Sequence, residues 1–285
     1  MNDYVRENLS YVALFFKMRS KKKEIRPVRI SYGKEKEQYF LCYEPKRKKS
    51  NTVIFWVHGG GWNSGSPSSF DHVGQRVASE GYVMISAGYR LSPKNKYPSQ
   101  IKDVCDCFNA SVSYLNERNI DTSCIIVAGP SAGAHLSSIL CYSSSVQKEY
   151  GVDISDIKGF VGFGGPYSFR DDQTKTIAYL EKLLFEKGYD KHNAEPVSIM
   201  SKNHIPMLLI QSRHDGLIEY ACAEDFAKRA KQVGNGCELY GVTDRKNTHS
   251  WYCVGSFLET RNENDTQDKF FTWIEGINSE NRIDI

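Results

Sequence analysis

The sequence predicts an α/β fold in which a mostly parallel sheet carries helices on both faces. Three observations predict it. From residue 28 onward, strand-like and helix-like segments alternate. The strand-like segments, such as 52–57 (TVIFWV) and 82–87 (YVMISA), are continuous apolar runs, the pattern of strands buried on both sides. The chain of 285 residues and 32.4 kDa is also long enough for a large core. Surface scaling gives roughly 12,400 Å² folded against about 47,000 Å² extended, so about 74% of the surface is buried without staples.

The elements follow in order. Residues 11–16 form an apolar run that leads into Lys17, Arg19, Lys21, Lys22 and Lys23. A secretory signal has the reverse order, and the run is too short to span a bilayer. It is read as a lid helix with a solvated basic end; an amphipathic helix on a membrane surface is the disfavoured alternative. Segments 28–31 and 38–43 read as a hairpin, and Lys46 to Lys49 as a solvated loop before the buried strand 52–57. A helix over 68–80 stops at Gly81, before the strand 82–87. Pro98 opens a helix to about 117, then come a strand at 124–128 (CIIVA) and a helix at 131–142. Strands at 160–163, 207–210 and 237–240 and helices at 219–233 and 263–277 complete the alternation. One interval breaks the rhythm: about 165–205, with a helical stretch near 174–187, is longer than a crossover needs and suits a small lid over the carboxyl edge, where such sheets bind ligands. The expected organisation is a single domain over 1–285, with 1–27 and about 165–205 as lid segments.

Composition narrows the function. Hydrophobic residues at 40% and charged residues at 25% exclude wholesale disorder. A net charge of +3 and scattered lysines give no support for nucleic acid as a partner. The eight cysteines contain no CxxC pair and read as reduced, mostly buried residues of a cytoplasmic protein.

Two motifs carry chemistry. After the strand 124–128 comes Gly129-Pro130-Ser131-Ala132-Gly133, a GxSxG. A strand-to-helix turn there lifts the Ser131 hydroxyl clear of the sheet and points the positive helix end at it. Alone the motif is weak, with a chance match in about one chain in ten, and Ser131 could simply cap the helix. Its place between a buried strand and a helix strengthens it. The second motif, His58-Gly59-Gly60-Gly61-Trp62, directly follows the strand 52–57. Consecutive glycines leave backbone N–H groups free to converge on one spot, as an oxyanion requires.

Together with GYRLSP at 88–93, YPSQIKD at 97–103, SRHDGLI at 212–218 and THS at 248–250, these motifs resemble the α/β-hydrolase superfamily, and within it the esterase/lipase group similar to hormone-sensitive lipase. The resemblance runs from about residue 28 to the C-terminus. It implies an eight-stranded, mostly parallel sheet, a Ser/Asp/His triad, and ester hydrolysis with no metal or organic cofactor. It also makes Asp103 a structural residue.

The acid and base can be sought independently. Of seven histidines, His58 belongs to the glycine loop, and His72 and His135 fall on helices, His135 packing one turn past Ser131. His192 and His204 lie in the long interval. His214 and His249 remain, and only His249 follows the last strand. Asp215 follows the strand 207–210. The order Ser131, Asp215, His249 is that of α/β-hydrolases. Asp244 and Glu219 are the rival acids. The expected oxyanion donors are the N–H groups of Gly60, Gly61 and Ala132, and Trp62 and Tyr89 are expected to line or buttress the substrate pocket.

The chemistry this predicts is two-step acyl transfer on a small-molecule ester through an acyl-enzyme. A short lid, with Trp62 beside the oxyanion loop, favours acetyl to butyryl groups. Two alternatives stand beside it: an amidase of the arylformamidase type and, more remotely, a non-catalytic hydrolase-fold binding protein.

Overall fold

Period-two sorting of the apolar runs explains the architecture of the computed structural model, which describes residues 3–20, 23–171 and 173–280. Helix α1 (Asp3–Ser20) is followed by β1 (Val28–Ser31), β2 (Tyr39–Tyr43), β3 (Val53–Val57), α2 (Asp71–Ser79), β4 (Val83–Ala87) and α3 (Ser99–Glu117). Then come β5 (Ile125–Pro130), α4 (Ala132–Tyr142), α5 (Ser144–Tyr150), β6 (Ile157–Phe163), α6 (Lys175–Leu184) and α7 (Pro196–Ile199). The chain continues through β7 (Met207–Ser212), α8 (Tyr220–Val233), β8 (Cys237–Val242), α9 (His249–Cys253) and α10 (Asp265–Glu280). In β3, Val53, Phe55 and Val57 face one core layer while Ile54 and Trp56 face the other. Met207 and Leu209 of β7 alternate with Leu208 and Ile210 in the same way. α3, α4 and α8 cover the first layer; α2 and α10 cover the second, with Val73, Val77, Phe270, Phe271 and Ile274. A strand covered on both sides has no polar face, which is why these segments read as unbroken hydrophobic runs.

The eight strands form one sheet in the order β1-β2-β4-β3-β5-β6-β7-β8. β2 is antiparallel to β1 and β4; every other pair is parallel. All the parallel strands therefore end at one edge, and the loops that leave that edge carry His58, Ser131, Asp215 and His249.

The structure departs from the sequence reading in several places. The helix expected over 68–80 opens with a 3-10 turn, Pro67–Phe70, before α2. Strand β5 continues through Gly129 and Pro130, so the strand runs straight into the motif. α5, α7 and α9 are additional; α5 is bounded by the Ser143 side-chain cap and by Gly151 in the left-handed conformation. The basic end of α1 is not simply solvated: Lys17 lies 4.5 Å from the Trp251 ring centroid and Lys23 lies 3.1 Å from Asp71. Lys21 and Lys22 lie outside the described residues. In the loop after β2, Lys49 pairs with Glu275 at 2.6 Å. Among the described residues no helix is long and apolar enough to cross a membrane.

Candidate active site

Ser131 stands between β5 and α4 with φ 53° and ψ −124°, a conformation of order 1–3 kcal/mol above the ordinary regions. Close packing holds it there. A Cβ on Gly133 would lie 2.0 Å from the Val57 carbonyl oxygen, and one on Gly129 would lie 2.6 Å from the same atom, so only glycine lets α4 begin this close to β3. The Ser131 N–H donates to the Phe163 carbonyl at 2.7 Å. Its hydroxyl does not cap α4, which removes the simple capping explanation, and the residue is half-buried.

His249 is the first residue of α9, and its Nδ1 lies 2.7 Å from Asp215 Oδ2. A carboxylate only accepts, so Nδ1 carries the proton and Nε2 keeps its lone pair. Asp215 is locked from both sides. Oδ1 accepts from the N–H groups of Leu217 and Ile218, each at 2.8 Å. Oδ2 accepts from Tyr252 Oη at 2.7 Å and Gln211 Nε2 at 3.2 Å as well as from the imidazole. Both side chains are almost fully buried. Burial pulls the His249 pKa down, but the Asp215 charge and hydrogen bond, aided by the Glu7 carboxylate, outweigh it and leave it raised above the ordinary histidine value. The ring reaches the serine's edge: a Cβ on Gly164, next to Phe163, would lie 3.0 Å from His249 Cε1.

The glycine loop after β3 closes the third side. A Cβ on Gly59 would sit 3.5 Å from Ser131 Cβ, and Gly60 adopts φ 115° and Gly61 φ 57°. The Gly60 carbonyl is turned inward, accepting from Asn63 N, Ser64 N and Ser64 Oγ. Among the described residues no group accepts from the N–H of Gly60 or Gly61. Ala132, at the start of α4, has an amide that by position has no partner within the helix.

A family model for BD-FAE matches residues 41–230, which spans both motifs and Asp215. The chain belongs to the BD-FAE family. The BD-FAE chain is 27% identical over 222 residues to Esterase LipC of Mycobacterium tuberculosis, covering 72% of this chain and 55% of that protein. It is 24% identical over 227 residues to the ethyl acetate hydrolase of Pseudomonas putida, covering 75% and 70%. It spans about half the length of the first curated relatives it matches. Among solved structures it superposes on a hormone-sensitive lipase from a metagenome library with a TM-score of 0.73 at 20% identity, covering 96% and 92% of the two chains. Esterase B of Lactobacillus rhamnosis gives 0.77 at 17% identity, covering 96% and 94%. These likenesses show the α/β-hydrolase fold, with the eight-stranded, mostly parallel sheet described above.

The remaining residues of this BD-FAE chain sort by position. Of the two roles expected of Trp62 and Tyr89, lining or buttressing the pocket, their burial favours buttressing. Tyr89 stacks on His58 at 4.1 Å and donates to the His58 carbonyl at 3.0 Å. Trp62 Nε1 donates to His135 Nδ1 at 3.3 Å, so His135 carries its proton on Nε2, which donates to the Ala194 carbonyl at 2.8 Å. Burial lowers the His135 and His58 pKa to about 4, and both rings are neutral fixtures. Asp103 is fully buried under a two-pronged contact from Arg90 and an N–H···O bond from Gln38. Asp244 is exposed and, among the described residues, its carboxylate meets only its own turn; Glu219 precedes α8 and has no hydrogen bond to His249 there. Of the other histidines, His192 contacts Glu195, His204 the Ile157 carbonyl and His214 Asp3. Among the described residues no cluster of three or more His, Cys, Asp or Glu could hold a metal. One cavity of about 600 Å³ opens between the end of α1 and α2, yet Ser131, Asp215 and His249 do not line it; chemistry rather than volume locates the site. Sequence reasoning missed two residues here, Tyr252 and Glu7. Tyr252 follows the histidine by three, which on a helix brings it back to the same side.

Proposed function

We propose that the protein is a serine carboxylesterase acting on short-chain acyl esters, with Ser131 as nucleophile, His249 as base and Asp215 as the orienting acid. The observation that carries the reading is the buried His249–Asp215 pair, since it leaves Nε2 as the atom free to take a proton. Ser131 Oγ attacks the ester carbonyl as its proton passes to Nε2. The carbonyl oxygen becomes an oxyanion held by the N–H groups of Gly60, Gly61 and Ala132, preorganised donors that need no rearrangement. His249 then gives the proton to the leaving alcohol, and a water activated by the same nitrogen releases the acid from Ser131. Among the described residues no hydrogen bond joins Ser131 Oγ to His249 Nε2; in such sites that bond commonly forms only when substrate is in place.

The short acyl preference draws on the roof of the site. Leu180 of α6 packs within reach of Gly61, and with Ile177, Leu217, Ile218 and Cys222 it fills the space between the oxyanion loop and the acid loop. A small crevice lined by Pro166, Thr174, Ile177 and Cys222 lies beside this cluster, but neither Ser131 nor His249 lines it. On this reading 165–205 and α1 act as lid segments of one domain. The name of the Pseudomonas putida relative, an ethyl acetate hydrolase, points to the same size of ester. Eight unpaired cysteines, six of them buried, suit a reducing compartment such as the cytoplasm.

The test is Ser131→Ala with p-nitrophenyl acetate and a fluorophosphonate probe. Loss of hydrolysis by several orders of magnitude and loss of labelling are expected, because triad members act as a unit. Near wild-type turnover in the purified variant would end the proposal.

A further inference from the structure

Helix α1 lies outside the sheet, yet it grips the segment that carries His249. Glu7 is buried, and its carboxylate accepts from the His249 N–H at 2.6 Å and from the Ser250 N–H at 2.9 Å. These are first-turn amides of α9, whose preceding residue Thr248 caps nothing with its own hydroxyl; that hydroxyl is bonded to Ser10 of α1 at 2.7 Å. Ser250 Oγ reaches the same Ser10 oxygen at 2.9 Å. The helix also touches the acid loop: a Cβ on Gly216 would lie 2.8 Å from the Asp3 carbonyl and 3.2 Å from Glu7 Cβ. One element thus braces both loops that supply the base and the acid.

A five-residue helix cannot hold its own geometry, since each end leaves about four backbone groups without partners. Burying a carboxylate is costly unless strong donors compensate it, and here the donors are the backbone N–H groups of His249 and Ser250. We propose that Glu7 is a positioning residue for the reaction, holding the His249 backbone so that the ring stays aimed at Ser131. The inference rests on the esterase reading above. Glu7 touches no substrate and acts through His249.

The charge has a second consequence. The titratable groups facing His249 are Asp215 from the acid loop, Tyr252 and Cys253 from α9, and Glu7 and Tyr11 from α1. Burial raises the Tyr252 phenol and the Cys253 thiol, which leaves the two carboxylates as the charges the imidazole feels. Glu7 therefore favours the protonated imidazole.

The experiment compares Glu7→Gln with wild type in kcat and KM for p-nitrophenyl acetate from pH 5 to 9, alongside fluorophosphonate labelling rates. A glutamine turns one acceptor into a donor aimed at an N–H. The expected result is a kcat lower by about 10- to 100-fold, the scale of an ångström-sized misplacement, with KM near wild type. The acidic limb should also move to lower pH, a shift that a merely structural cap would not produce. Should Glu7→Gln fail to fold, Glu7→Asp keeps the charge and draws it back by one methylene; kcat should fall while the limb stays. Wild-type kcat and an unmoved limb in Glu7→Gln, or wild-type kcat in Glu7→Asp, would overturn the inference. If the wild-type protein itself is not labelled at Ser131, the esterase reading fails instead.

Discussion

Replacing Asp215 by asparagine tests the site at its most constrained atom. Oδ2 accepts three hydrogen bonds, from His249 Nδ1, Tyr252 Oη and Gln211 Nε2, while Oδ1 accepts two backbone amides. The backbone pair fixes which way the amide must point: its oxygen stays on Leu217 and Ile218, and its NH₂ replaces Oδ2. The NH₂ has two hydrogens for three former donors: Tyr252 can turn its hydroxyl to accept, whereas Gln211 Nε2 is also tied to the Ile218 carbonyl and loses its bond to residue 215. His249 can adapt only by moving its proton to Nε2, the nitrogen that the proposed mechanism needs empty. Rate and stability should therefore separate. A wrong tautomer costs about 10⁴ in kcat, or about 5.4 kcal/mol of transition-state stabilisation. Losing one charge-assisted bond costs stability about 1.5–3 kcal/mol, which lowers the unfolding midpoint of a chain this long by up to about 5 °C. The assay is kcat/KM for p-nitrophenyl acetate beside a thermal melt, with Asp244→Asn as the control that keeps most activity. A folded Asp215→Asn variant within about tenfold of wild type would refute the tautomer argument, for that is far less than the loss it demands.

Other outcomes follow from the same geometry. The rate should fall as pH drops through the His249 pKa, with a midpoint above the ordinary histidine value because that pKa is raised; a flat profile down to about pH 5 would contradict it. Gly133→Ala places a methyl on the Val57 and His58 carbonyls and should cost about 3 kcal/mol or more in a denaturant titration; a change within about 0.5 kcal/mol would show that the elbow has slack. Across p-nitrophenyl esters below their solubility limits, kcat/KM should peak at acetyl to butyryl and drop beyond about eight carbons. A pocket with apolar walls would instead gain about 0.8 kcal/mol per methylene, and a steady rise with chain length would show that such walls exist.

What could be read from the sequence was whatever is local or periodic. Buried strands announce themselves because both faces are dry, and Ser131, His58 and the glycines are legible because a tight turn admits few residue types. His249 was found by elimination and Asp215 by its place after a strand. Glu7 was not legible: one glutamate near the start of an amphipathic helix looks like any other, and its partners lie 242 residues away. α9 escaped for the same reason, since what makes it a helix is packed against it from elsewhere. Trp62 and Tyr89 carried two readings, lining and buttressing. Aromatic residues at strand ends suggest a pocket, but here a neutral histidine beside each ring uses it as packing.

The grip of α1 on α9 also sets an order of events during synthesis. Glu7 precedes its seat on His249 and Ser250 by 242 and 243 residues. At about 5–20 residues per second, that gap lasts about 12 to 50 s. Leu14 and Glu7 are both almost fully covered in the finished fold. The serine and the glycine loop belong to the middle of the sheet and can assemble in that interval. The histidine waits for both ends of the described chain to meet, so a nascent chain stalled before residue 249 would hold a finished elbow and no base.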